Sequence, residues 1–169
     1  MRVKKSNLTV ATFLFILSTI NNAWAEQESN IIVQKREAVV ALVEKAKDFI
    51  QTNGKEKAIA EFNKKYGEFS YNSNYVAIVD YDGTFQANIN WPALIGTNQI
   101  NFQSPSGVFV VQEEIEKAKA GGGWIENPRF SKNPQTDNHE CKKIYVLPME
   151  GDYLIASGYY YNTNNQGNC

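Results

Sequence analysis

His139 is the only imidazole in the chain, and it stands in a polar stretch beside Glu140. Nucleophilic catalysis by serine or cysteine needs such a base, yet no G-x-S-x-G elbow presents a serine to it. Asp80 and Asp82 are the closest carboxylate pair. They flank a turn, where Asp is favoured for local hydrogen bonding alone. A calcium loop of the EF-hand type needs more oxygen ligands at fixed spacing, and Gly83 directly after Asp82 breaks that spacing. Gly121–Gly123 is followed by no Lys-Ser/Thr, so it lacks the rest of a phosphate-binding loop. One His and two Cys are too few for a structural zinc site of four such ligands. The chain reads as a non-enzyme with no catalytic set, no metal site and no cofactor.

Binding chemistry is better represented. Trp91, Trp124, Tyr145, Tyr153, Tyr159, Tyr160 and Tyr161 gather near Asn127, Arg129, Lys142 and Lys143 in sequence. Small-molecule pockets combine apolar walls with a few polar donors. A Lys or Arg beside tyrosine hydroxyls suits a carboxylate, because charge-assisted hydrogen bonds are about twice as strong as neutral ones. Taken singly, each aromatic also reads as sheet core or strand surface. Lys142 and Tyr145 are three apart, so a regular strand turns them to opposite faces. Either a bulge intervenes or Lys143 is the inward residue, and both lysines remain candidates.

The elements that position these residues show in the hydrophobic periodicity. Ile32, Val39, Val43, Ala46 and Ile50 mark a long helix over 31–51, stopped by Asn53-Gly54. A shorter helix covers 56–65. Alternation then replaces helical period: strands are expected at 75–79 and 84–89 around Asp82-Gly83, a hairpin signal because Gly accepts positive φ. Asn90–Gly96 reads as a loop holding Trp91. A third helix is expected at 108–120, closed by the triple glycine, and strands at 124–126, 142–147 and 153–159. Residues 127–140 read as a polar loop. The result is an α+β domain, a five-stranded antiparallel sheet with helices packed on it.

Arg2, Lys4 and Lys5, the apolar run Leu8–Ile20 and the small-x-small site Ala23-Trp24-Ala25 form a secretory signal over residues 1–25. Thirteen apolar residues reach only about 20 Å, short of the ~30 Å hydrocarbon core. The mature protein, periplasmic or secreted, would start at Glu26. Removing three cations from the 17 leaves 14 against 18 acidic groups, a net charge of −4. That balance gives nucleic acid no basic footprint. Two Cys in an exported domain most simply pair, which would join Cys141 to Cys169 and tie down a polar tail over 162–169.

The order of motifs is similar to the single Cache domain. The segments carrying the resemblance are Ala58–Asn63, Tyr75–Thr84, Pro92–Gly96, Gly122-Gly123-Trp124 with Asn127-Pro128, Lys142–Val146 and Asp152–Tyr160. Together they place one domain over 26–161. The resemblance implies a PAS-like fold with a long N-terminal helix and a ligand cavity on one sheet face. It also implies an extracytoplasmic sensory role, usually feeding chemoreceptors, histidine kinases or cyclic-dinucleotide enzymes. Ligands of such domains are small organic molecules, often short carboxylates. Pocket positions carry over to Trp91, Trp124, Asn127, the Lys142–Tyr145 strand and Tyr160. Trp91 departs from the His-Pro type sequence common at that loop. No output domain follows Tyr161 in this chain, so signalling is expected to need a membrane receptor or kinase. The competing expectation is an interaction module with a filled pocket, dimerising through the 31–51 helix.

Overall fold

A computed structural model describes residues 8–71, 73–104, 107–162 and 169, with side chains from 26 onward apart from 71. The chain divides into two compact units, Met1–Lys35 and Arg36–Cys169. Of the expected leader, residues 1–7 lie outside the described residues, and the remainder is helical backbone. Residues 163–168 of the expected tail also lie outside them. Among the described residues, no helix is long and apolar enough to cross a membrane.

Helix α1 runs Leu8–Asn53 and α2 runs Lys55–Phe62. A two-stranded hairpin, β1 (Ser70–Tyr71) and β2 (Asn74–Tyr75), precedes β3 (Ala77–Asp80) and β4 (Phe85–Ala87). A 3-10 turn at Pro92–Leu94 leads toward α3 (Val110–Lys119). The remaining strands are β5 (Gly123–Trp124), β6 (Arg129–Lys132), β7 (His139–Met149) and β8 (Tyr153–Tyr161).

The named strands pair antiparallel, in the order β4-β3-β8-β7-β5. β6 pairs with β7 through Arg129↔Lys142 and Lys132↔His139, while β5 pairs with Gly123↔Val146 and Trp124↔Tyr145. Both lie along the same edge of β7, one after the other, so the sheet is five strands wide. Residues 127–140, which read as a polar loop from sequence, include strand β6. Arg-Phe-Ser-Lys is too short and too polar for alternation to reveal a strand, and its pairing comes from β7 extending outward to His139. Asp82-Gly83 does turn the chain between β3 and β4. Gly83 has φ +97°, and a Cβ there would come within 2.7 Å of Ile100. Both aspartates are structural: Asp80 holds Lys55 at 2.7 Å and Gln86 at 2.6 Å, and Asp82 accepts the Thr84 N–H at 2.8 Å.

Strand parity sorts the core into two layers. Ile78 of β3 and Tyr153 and Ile155 of β8 pack with Val43, Ala46 and Ile50 of α1 and with Phe62 of α2. Their neighbours Ala77, Val79, Leu154 and Ala156 face the other way and pack with Val111, Ile115 and Ala118 of α3. β8 is buried on both faces because it is the central strand. The α1/α2 layer is dense, with Phe49, Phe62 and Phe69 rings 4.5–6.1 Å apart. The α3 layer is the one that opens.

Cys141 and Cys169 form a disulfide with 5.4 Å between their Cα atoms, 28 residues apart in sequence. Closing a loop of that size stabilises by about 3–4 kcal/mol in the chain-entropy model. Reduction should therefore lower the unfolding free energy by that amount, read from denaturant titrations with and without a thiol reductant. A loss under about 1 kcal/mol would mean the reduced chain keeps the same constraint by other contacts.

Candidate ligand cavity

Between the α3-facing side of the sheet and α3 lies a cavity of about 400 Å³. Its sheet wall is Tyr75, Ala77, Ala156, Ile144 and Lys142, and small Ala side chains on β3 and β8 leave the room. Val110, Val111 and Glu114 of α3 form the facing wall. Phe85, Asn88, Trp91 and Leu94 close one end, and Arg129–Lys132 with Phe102 border the other.

Lys142 is the centre of its chemistry. It is only 8% exposed, and its Nζ donates to the Tyr75 hydroxyl at 3.0 Å. The ammonium also sits 4.6 Å from the Tyr75 ring centroid and 4.9 Å from that of Tyr160. Gly158 makes room for it: a Cβ there would collide with the Lys143 carbonyl oxygen and come within 3.0 Å of Lys142 Cε. Among the described residues, no carboxylate forms an ion pair with Lys142.

Arg129, directly across the ladder from Lys142, is in the opposite condition. Its guanidinium contacts Glu114 at 2.5 Å, Glu113 at 3.2 Å and the Val110 carbonyl at 2.9 Å. These bonds lock β6 to α3 and use the nearest acidic groups. Two like charges opposed on one face repel; Glu113 and Glu114 relieve Arg129 and leave Lys142 with neutral oxygens and ring faces.

Those oxygens stay neutral. Burial pushes the Tyr75 phenol well above its ordinary value, and the Glu114 charge adds to the rise; hydrogen bonds shared with Tyr160, Trp91 and Asn88 oppose it. Burial also raises Tyr160, with the Lys142 charge pulling back. A phenol that holds its proton more tightly when folded stabilises fully below pH 10, and that stability is lost as pH climbs above 10 through the folded-state value. Unfolding free energy should accordingly be flat from pH 8 to 9.5 and fall beyond pH 10, with a shallower fall in Tyr75→Phe. Equal alkaline slopes in the two proteins would contradict the burial of this phenol.

The residues expected from sequence separate into two groups. Lys142 and Trp91 line the cavity, and Tyr160 flanks Lys142 on the same side. Lys143, Trp124 and Tyr145 lie outside it. Lys143 donates to the Glu126 carbonyl, while the Trp124 ring packs 5.3 Å from Tyr145 and 5.7 Å from Tyr159 under the Arg36 guanidinium. Neither expected arrangement holds: β7 carries no bulge between 142 and 145 and Lys143 is not the inward residue, because ordinary alternation turns Lys142 inward and it is Tyr145 that faces away. Asn127 borders a smaller adjoining pocket of about 140 Å³ with Pro128 and Glu113. The cavity also takes in Tyr75, Asn88 and Glu114, which carry no binding motif in the sequence. Glu114 was legible there, since it interrupts the stripe Val111, Ile115, Ala118 of a helix otherwise apolar on that side.

A family model described as single Cache domain 2 matches residues 25–167. The chain belongs to that family. Its fold is shared by the methyl-accepting chemotaxis protein of Vibrio parahaemolyticus RIMD 2210633, at 16% identity and TM-score 0.67, covering 80% of this chain and 95% of that one. A periplasmic sensor domain of a chemotaxis protein aligns at 18% identity and TM-score 0.57 over 82% and 98%. A Cache chemosensory domain described for carboxylic acid recognition aligns at 16% and 0.57 over 86% and 98%. No curated protein sequence matches the chain. Cache domains form a sensory family rather than an enzyme family, and this one carries the antiparallel sheet and long N-terminal helix of its neighbours.

Proposed function

We propose that this Cache domain is exported by cleavage after residue 25 and binds an organic carboxylate through Lys142. It reports occupancy to a membrane-bound receptor or kinase. The observation that carries the reading is the buried, carboxylate-free ammonium of Lys142 facing an open cavity. A buried cation is costly unless an anion and hydrogen bonds compensate it, and a carboxylate brings both at once. Trp91 and Tyr160 supply the apolar surroundings that strengthen such a pair. The neighbour described for carboxylic acid recognition supports the same ligand chemistry. The alternative, an interaction module with a filled pocket, is opposed by the open space between the sheet and α3.

Thermal unfolding against a panel of organic acids tests the proposal. A ligand at 100 times its dissociation constant adds about 2.7 kcal/mol to the folded state. At least one acid should raise the midpoint while its uncharged amide does not. No shift with any acid, or equal shifts with acid and amide, would refute carboxylate recognition.

A further inference from the structure

We infer that the ligand is a monocarboxylate with a ring-sized apolar body, larger than a two- or three-carbon acid. The inference rests on the carboxylate reading above and adds size and valence to it. At about 30 Å³ per molecule, 400 Å³ is the space of roughly thirteen waters. Acetate, with four heavy atoms, would leave most of that volume as water against Phe85, Trp91, Leu94, Val110, Val111 and Ile144. Those walls offer water few hydrogen bonds. An apolar body filling the space removes that contact.

Several polar side chains in the lining are engaged already, while the buried Ser157 hydroxyl is an uncharged group without a partner among the described residues. Asn88 Oδ1 accepts the Trp91 N–H at 3.1 Å, Gln99 Nε2 donates to Thr97 at 2.9 Å, and Glu114 holds Arg129. Lys132 also borders the cavity, but Asp137 holds it at 2.6 Å, so among the described lining residues Lys142 is the buried cation that lacks a carboxylate. A second carboxylate would meet Glu113 and Glu114 around Arg129, the other buried cation among the described lining residues, so a dicarboxylate is disfavoured. At the mouth, Phe102 and Phe130 are 53% and 50% exposed although both border the cavity. Rings left half bare at an entrance are surface that an apolar ligand body would cover.

Calorimetric titration of the full chain with acetate, butyrate, hexanoate, 3-phenylpropanoate, glutarate and neutral 3-phenylpropan-1-ol separates the outcomes. Each added methylene should tighten binding by about four-fold, hexanoate should exceed acetate by more than fifty-fold, and 3-phenylpropanoate should match or exceed hexanoate. Glutarate should bind more weakly than hexanoate. Affinity that is level or falls beyond acetate would overturn the size inference and leave carboxylate recognition standing. Glutarate binding as tightly as hexanoate would overturn the single-anchor part. If 3-phenylpropan-1-ol matches 3-phenylpropanoate, carboxylate recognition fails instead, and binding by none of the six at millimolar concentration overturns both.

Discussion

Lys142→Met should abolish carboxylate selectivity while leaving the folded protein at least as stable as before. Hydrogen bonds to charged groups contribute about 1.5–3 kcal/mol each, so the acid that binds the native chain should weaken about ten- to a hundred-fold. Stability behaves differently because the ammonium is surrounded by neutral groups, the Tyr75 hydroxyl at 3.0 Å, the Tyr160 hydroxyl and the two tyrosine rings. Met keeps the stem that lies against Gly158 and removes a desolvated charge with no paired anion. Titration of the acid and its amide into both proteins, with a denaturant curve for each, reads the two effects separately. Undiminished acid binding in Lys142→Met would place the anchor elsewhere. A large stability loss would mean the ammonium is compensated more fully than its neighbours indicate.

Glu114→Ala should be the most destabilising single change near the cavity. Glu114 and Arg129 have side chains 9% and 10% exposed, and they join α3 to β6 at 2.5 Å. Removing one partner of a buried pair costs about 3–5 kcal/mol because the other charge stays behind. For a domain of this size that corresponds to a midpoint shift of about 10 °C or more. Glu113, at 3.2 Å and more exposed, compensates in part. The double change Glu114→Met with Arg129→Met should recover much of the loss, since apolar replacement of a buried pair is often neutral or stabilising. A loss below about 1 kcal/mol in the single variant would show that Glu113 alone suffices for Arg129.

The two changes act on neighbouring parts of one structure. Arg129 and Lys142 are cross-strand partners, so the ion pair that seals α3 to β6 also decides which of the two cations keeps a carboxylate. The disulfide adds a third constraint at the same place, because Cys141 precedes Lys142 on β7 and is fully buried. Stability and the proposed carboxylate recognition therefore meet along the outer stretch of β7.

Periodicity in the chain was enough to determine the three helices, the Asp-Gly hairpin and the long strands, because each depends on residues close in sequence. The three- and four-residue steps of Val43, Ala46 and Ile50 and the alternation through Ala77–Val79 survive in the two layers of the core. Parity set Lys142 against Tyr145 on a regular strand, but only the unbroken β7–β8 register excluded the bulge that would have brought both to one face. Tertiary structure alone decided which face was hollow. That depends on Ala77, Ala156 and Gly158 being small at points where separate strands meet, and on α3 standing off the sheet there. It also decided that Arg129 would spend its charge on Glu113 and Glu114 fifteen or so residues away while Lys142 kept its own. Long-range pairing leaves no periodic trace, since the contact is made by how the sheet brings β6, β7 and α3 together rather than by any local spacing.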